Sequence, residues 1–403
     1  MVRFMNKVND ALVKLLSAST DCHTSQIVEL DAEEWTQLYK EAIEHQIHLL
    51  IFSEANKYGS KVNPALFDNW RKNTIFQVLQ SIQSFAVVGS LLNALRDANV
   101  PILVLKGLHY KYLYREPDLR IMGDIDLLIK PESLDNAIRI IESFGYIQGK
   151  KDPKHIAFYH KQYIPIELHF ALFTESKRKV AAGFNTAIWN EAYFYEADKM
   201  TFLVPSDINQ IIYCCIHMTN HLGKGGFGLR QLSDFNLLVK RICETLDWEQ
   251  LLKQAEINGI GKFVEVLSYI CHKLFGLKIP EVIIKKYSCD EENIERMVNA
   301  ILDAGAFGGK DKATSSNRSL ASYISQSGSN GKSRLKYLFP PRDSLGSAYS
   351  YVNKHKVLLP VAWVHRLLIN IGRRDLKLSE KIPDSKSINE YVELFRWLDV
   401  RKK

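Results

Sequence analysis

Residues 119–129, LRIMGDIDLLI, carry the strongest local signal in the chain. The apolar run that begins at Ile125 reads as a strand, and the two-residue period of a strand places Asp124 and Asp126 on one face with Ile125 and Leu127 on the other. Two carboxylates about 4 Å apart repel by roughly 4 kcal/mol at an effective dielectric near 20. Such a pair needs water or cations beside it. Magnesium is the natural counter-ion, because it takes hard oxygen ligands and fills its shell with waters and substrate phosphates. A DxD by itself is more often a solvated strand end, so the flanking segments decide.

Downstream, IPIELHF (164–170) reads as another strand in which Ile164, Ile166, Leu168 and Phe170 are buried while Pro165, Glu167 and His169 share the opposite face. Glu167 could complete a three-carboxylate cluster, with His169 next to it. Upstream, PILVLKG (101–107) is a strand apolar enough to be covered on both faces. It turns at Lys106-Gly107 into a helical segment over 108–115. Glycine there lets the backbone approach a phosphate, the next helix aims amides at it, and lysine adds a point charge. Between the strands, SLDNAIRIIESFGY places Leu134, Ala137, Ile138, Ile141 and Phe144 on one helical face, with Gly145 as its cap. HIAFYHKQY and IPIELHFAL finish a small mixed sheet near residue 175.

In this order, ILVLKG, RIMGDIDLLI and PIELHF resemble the nucleotidyltransferase superfamily that includes DNA polymerase beta, most closely its uncharacterised bacterial nucleotidyltransferase branch. The motif-bearing part spans roughly 78–175, and LKYLFPPRDSL (335–345) resembles that branch more loosely. The resemblance implies an α+β fold with a small mixed sheet flanked by helices. It also implies two divalent ions, Mg2+ or alternatively Mn2+, and transfer of a nucleoside monophosphate from a nucleoside triphosphate to a hydroxyl-type acceptor. Asp124 and Asp126 match the DxD metal ligands and Glu167 the third carboxylate. The nucleotide-binding set is then Lys106, Gly107, Arg120 and Gly123. One departure stands out: most of the superfamily has Gly-Ser or Gly-Gly where this chain has Lys106-Gly107, so a lysine takes over the serine's contact. The competing reading is a non-catalytic nucleotide- or protein-binding module that retains the fold.

The chain divides into a helical region (1–77), the transferase core (78–175), a helical domain (176–304), a Gly/Ser/Asn/Lys-rich flexible loop (305–333) and a helical tail (334–403). Within 1–98, Ile75, Leu79, Ile82, Ala86, Gly89 and Leu92 keep the spacing of one buried helical face. With 403 residues, 46% hydrophobic and 24% charged, the composition is that of a globular protein rather than a disordered or collagenous one. Six cysteines without a CxxC pair fit reduced thiols, and no secretory h-region or spanning stretch is visible, so the expected location is cytoplasmic. A net charge of +8 favours polyanionic partners without naming one. The sequence leaves the acceptor open among a small molecule, a peptide, a protein and RNA.

Several weaker signals remain. Arg120 is either a phosphate contact or the partner of a nearby acid such as Asp118. His217 and His221 lie i, i+4 on a helix without the HExxH of a zinc protease, and after the Gly-rich, mobile-looking GKGGFG (223–228) come Arg230 and Asp234. Arg230, Asp234 and His169 are possible acceptor contacts; an i, i+4 ion pair is the plain reading of Arg230 with Asp234. SGSNGKS (327–333) fails as a P-loop because Gln326 stands where the first glycine belongs. Tyr110, Tyr112 and Tyr114 could stack a base or pack in the core.

Overall fold

The computed structural model describes residues 5–399 apart from 21–26, 60–61, 173–178, 199, 307, 309–311, 328–338, 343–344, 346–348, 350 and 372–384. Helices α1 (Lys7–Thr20), α2 (Ala32–Glu44), α3 (Phe52–Asn56) and α4 (Pro64–Asp97) come first. Asp31 caps α2 in a reciprocal box with Glu34, and Asn63 caps α4 ahead of Pro64, whose missing N–H is harmless at that position. After α4, Asn99 takes a left-handed φ of 54°, which turns the chain into strand β1 (Ile102–Val104).

Strands β2 (Ile125–Ile129), β3 (Ile147–Lys151), β4 (His155–Tyr159), β5 (Ile166–His169), β6 (Tyr193–Ala197) and β7 (Met200–Val204) alternate with α5 (Leu108–Lys111), α6 (Leu134–Ser143) and α7 (Lys179–Ala187). They form one seven-stranded mixed sheet in the order β3-β4-β5-β2-β1-β7-β6. β2 runs parallel to β5 and β1 parallel to β7, and the other pairs are antiparallel. The sheet therefore extends past residue 175: the hairpin of β6 and β7 joins it, and a core ending at 175 would cut it at β1.

Alternation sends the two sides of each strand to different cores. Ile125, Leu127, Ile166 and Leu168 pack with Phe85, Val88 and Leu92 of α4 and Ala137 and Ile141 of α6. Leu103, Leu105 and Leu128 face the other way, into a larger core shared by the N-terminal helices and a helical body. That body comprises α8 (Asp207–Leu222), α9 (Leu229–Ile242), α10 (Trp248–Ile257), α11 (Gly261–Phe275), α12 (Glu281–Ser288), α13 (Glu291–Leu302), α14 (Lys312–Ser327) and α17 (Ser385–Trp397); α15 (Tyr351–Lys354) and α16 (Leu359–Ile371) lie between the last two in the chain.

Three expectations change. On α4, Gly89 and Leu92 are buried, but Ile75, Leu79 and Ile82 are exposed. The helix meets its neighbours first through Trp70 and Thr74, then through Phe85, Val88 and Leu95, so the first part of the stripe picked out by spacing, Ile75, Leu79 and Ile82, points away from both contacts. By length and composition alone this helix is apolar enough to cross a membrane; here its ends are built into the two cores. Within 305–333, residues Lys312–Ser327 form α14, which buries Arg318, Leu320, Ala321 and Ile324; SGSNGKS beyond Ser327 and most of LKYLFPPRDSL lie outside the described residues.

GKGGFG, too, is packed rather than loose. The His221 carbonyl accepts the N–H groups of Lys224, Gly225 and Gly226, and Arg318 donates to the carbonyls of Gly225 (2.7 Å) and Ala300 (2.9 Å). A Cβ at Gly226, whose φ is 104°, would lie 2.6 Å from Ala304 Cβ. Small residues were selected by contact here, so composition suggested mobility where there is close approach. Gly226→Ala is expected to destabilise the protein by roughly 1–3 kcal/mol, readable as a lowered urea midpoint at unchanged slope.

Candidate active site

The register of two parallel strands creates the site. Asp126 on β2 is paired with Glu167 on β5, and both project to the face opposite Ile125 and Leu168. His169 follows two residues later on the same face, with Nε2 2.9 Å from Asp126 Oδ1 and 3.4 Å from Glu167 Oε2. On the other side of β2, the Leu105 N–H donates to the Asp126 carbonyl at 3.1 Å, which holds Lys106 beside it. Lys106 Nζ lies 2.5 Å from Asp126 Oδ2. Gly107 then turns with φ 71°; a Cβ there would stand 3.3 Å from Met122 Cε and 3.6 Å from the Asp124 carbonyl, so the glycine lets the turn lie against the loop carrying Gly123 and Asp124. Helix α5 is a single turn of four residues, too short to gather an anion-binding dipole. Any phosphate contact at this turn falls to Lys106.

Burial raises the cost of charge throughout. It pushes Asp124 above the usual carboxylate range, and the neighbouring Asp126 charge adds to the effect. Burial opposes the Asp126 charge as well, but Lys106 and His169 overcome it and hold that carboxyl far below its ordinary value. The hydrogen bond from His169 lowers Glu167. Lys106 is raised despite its burial, by Asp126 and Asp124. His169, although desolvated, is raised to about 8 by its bonds to Asp126 and Glu167. Its folded value thus exceeds the ordinary 6.5, so the stability it contributes is fully present below pH 6.5 and is lost as pH rises through 8. Without metal, the protein is expected to lose about 2 kcal/mol between pH 6 and pH 9 relative to His169→Gln, measured by urea unfolding.

His155, which the sequence reading passed over, also belongs here, and His217 and His221, read there as an i, i+4 pair on a helix, come close to the site. His155 pairs with His169 across β4 and β5, and its Nε2 lies 3.8 Å from Glu167 Oε2. The period-two pattern of HIAFY held that signal, since His155, Ala157 and Tyr159 must share a face. From the helical body, α8 presents Tyr213, His217 and His221 one turn apart; the His217 and His221 Nε2 atoms are 3.3 Å apart. Both imidazoles feel Lys106 and Asp126, and burial pushes His217 well down and His221 to about 4, so both are neutral at pH 7.

The basic residues expected to hold nucleotide or acceptor are differently engaged. Arg120 is buried against Asp234, with Nε–Oδ1 at 2.8 Å and Nη2–Oδ2 at 2.6 Å, and Tyr114 also donates to Asp234. Asp118 instead pairs with Lys111. Arg230 donates to the Ile121 carbonyl at 3.0 Å and to Gln46, which ties the Asp124 loop to the helical body; burial brings its pKa down to about 10. Tyr110 and Tyr114 are core residues. Gly123 is exposed at the loop tip beside Asp124.

Asp126, Glu167 and His169 offer ligand atoms within 4.8 Å of one another. The two carboxylates suit a magnesium- or manganese-like ion, and the penalty on the Asp124 charge is one that a nearby cation would relieve. The donor set fits a divalent metal.

The site thus gathers carboxylates from adjacent strands of a mixed sheet flanked by helices, beside a lysine-glycine turn. A profile of the family described as uncharacterised nucleotidyltransferase matches residues 31–276, and the chain belongs to that family. None of the curated proteins matches it. Among solved structures it is similar to the antibiotic-resistance factor ANT(2'')-Ia, at 13% identity and a TM-score of 0.31, over 53% of this chain and 97% of that one. The family assignment rests on the profile.

Proposed function

We propose that the protein is a Mg2+-dependent nucleotidyltransferase of the cytoplasm that moves a nucleoside monophosphate from a nucleoside triphosphate to a hydroxyl of an acceptor. The observation that carries this is the pairing of Asp126 with Glu167 across β2 and β5, beside Asp124 and Lys106. Asp124, Asp126 and Glu167 would hold the divalent ions, with His169 supporting them. When bound, those ions neutralise charge on the phosphates and acidify the acceptor hydroxyl.

Lys106 binds phosphate oxygens as a point charge. Glu167 orients the acceptor hydroxyl and takes its proton. The acceptor oxygen bonds to the α-phosphorus, the α–β bridging P–O bond breaks, and pyrophosphate leaves. The acceptor approaches from the strands beyond Glu167: its neighbour Ala157 is small, and Tyr159 and Ile147 next to it are exposed. His155, 3.8 Å from Glu167, borders that side. The five described cysteines are unpaired, in keeping with a reducing compartment.

The Lys106–Asp126 ion pair, which occupies a metal-ligand oxygen, is the one feature favouring a module that binds without reacting. One experiment separates the two. The full chain is incubated with Mg2+, each of the four α-labelled ribonucleoside triphosphates and fractionated hydroxylated acceptors. Labelled acceptor with equimolar pyrophosphate, lost in Asp126→Asn, is the expected result. Saturable triphosphate binding with no transfer to any fraction would leave the binding module in its place.

A further inference from the structure

Both carboxylate oxygens of Asp126 are engaged by side chains of the protein itself. Lys106 Nζ stands at Oδ2 and His169 Nε2 at Oδ1. The lysine is held there from two sides: the Leu105 N–H is bonded to the Asp126 carbonyl, and the Gly107 turn follows directly. Asp126 is 3% exposed at its side chain and Lys106 19%, so water screens the pair poorly. A dication ligated by Asp126, Glu167 and His169 would meet the ammonium on the same carboxylate, and two positive charges in that space repel strongly. The lysine stem is flexible, and phosphate oxygens offer its ammonium another partner.

We infer that Lys106 is a tethered counter-ion that keeps free divalent cations off Asp126 until the phosphates of a nucleoside triphosphate draw its ammonium away. The inference rests on the proposed nucleotidyl transfer. Cation ligation by Asp126 then follows nucleotide binding, and by reciprocity a cation on Asp126 strengthens the hold on nucleotide. In this account Lys106 first shields Asp126 and then meets the phosphates, which explains why lysine can stand where a serine or glycine is usual.

Mn2+ titration followed by electron paramagnetic resonance tests this on the full chain. Without nucleotide, Lys106→Met is expected to bind Mn2+ at least about tenfold more tightly than wild type, while Lys106→Arg, which keeps the charge, stays weak. Asp126→Asn removes the gain. Exchange-inert Cr(III)·ATP, which brings its own metal, is expected to raise wild-type affinity for additional Mn2+ by at least about tenfold and to change Lys106→Met little. Natively folded Lys106→Met, by circular dichroism, that binds Mn2+ no better than wild type overturns the inference, whatever Cr(III)·ATP does. Failure of Cr(III)·ATP to bind wild type, with the Lys106→Met gain intact, instead overturns the nucleotidyl-transfer reading and the nucleotide-driven release with it.

Discussion

Asp126→Asn is expected to lower nucleotide transfer by at least about 10³-fold and to abolish divalent-cation binding. The expectation follows from what meets at this side chain: it is paired with Glu167 across the strands, bonded to His169 and bonded to Lys106. A metal ligand that stabilises developing charge in the transition state is worth several kcal/mol, and each 1.36 kcal/mol is about tenfold in rate. Asparagine keeps the shape and the hydrogen-bonding reach but removes the charge that Lys106 and His169 neutralise. A secondary signature follows from the linkage. With the Asp126 charge gone, the main support for the raised His169 value disappears, so the imidazole titrates lower in the variant. Proton NMR of the His169 ring through a pH series reads this directly. Unchanged transfer in a folded Asp126→Asn would remove the site from consideration.

The second large effect concerns stability. Arg120 and Asp234 form a two-bond ion pair whose side chains are 5% and 6% exposed, and Tyr114 adds a third hydrogen bond. Arg120→Ala is expected to destabilise the fold by about 3–5 kcal/mol, because it leaves the Asp234 charge buried and uncompensated. Removing both charges at once, as in Arg120→Met with Asp234→Leu, should recover much of that loss, since a buried pair returns little net energy over a well-packed apolar substitute. Chemical denaturation of the two single variants and the double variant gives the cycle. A cost under about 1 kcal/mol for Arg120→Ala would mean that the guanidinium is free to serve a ligand.

Much of this site was legible in the sequence, and for a physical reason. Strand alternation fixes which residues share a face, so Asp126 and Glu167 could be placed on site-facing sides before their strands were known to pair, and Gly145 takes the positive φ expected of a cap. Charge partnerships across elements were not legible. Nothing within LRIMGDIDLLI says that Arg120 reaches Asp234, more than a hundred residues on, rather than Asp118, two residues back. Periodicity could say that α4 has an apolar stripe but not that its neighbours sit to one side of it, and so Ile75, Leu79 and Ile82 were assigned to a core they do not enter. Composition misled in the same way at Lys312–Ser327, where serine, asparagine and arginine look like linker but Arg318 is the buried centre of a helix packed on the body.

That arginine has a consequence for where the working unit ends. The region shared with the family stops at residue 276, yet Arg318 lies beyond it and donates to the carbonyl of Gly225, whose own N–H is held by the His221 carbonyl of α8. A fragment cut at the family boundary would keep Asp124, Asp126 and Glu167 and lose the brace that Arg318 gives the end of α8. Substitutions in α14 would therefore reach α8 through Gly225 and His221 without touching Asp124, Asp126 or Glu167.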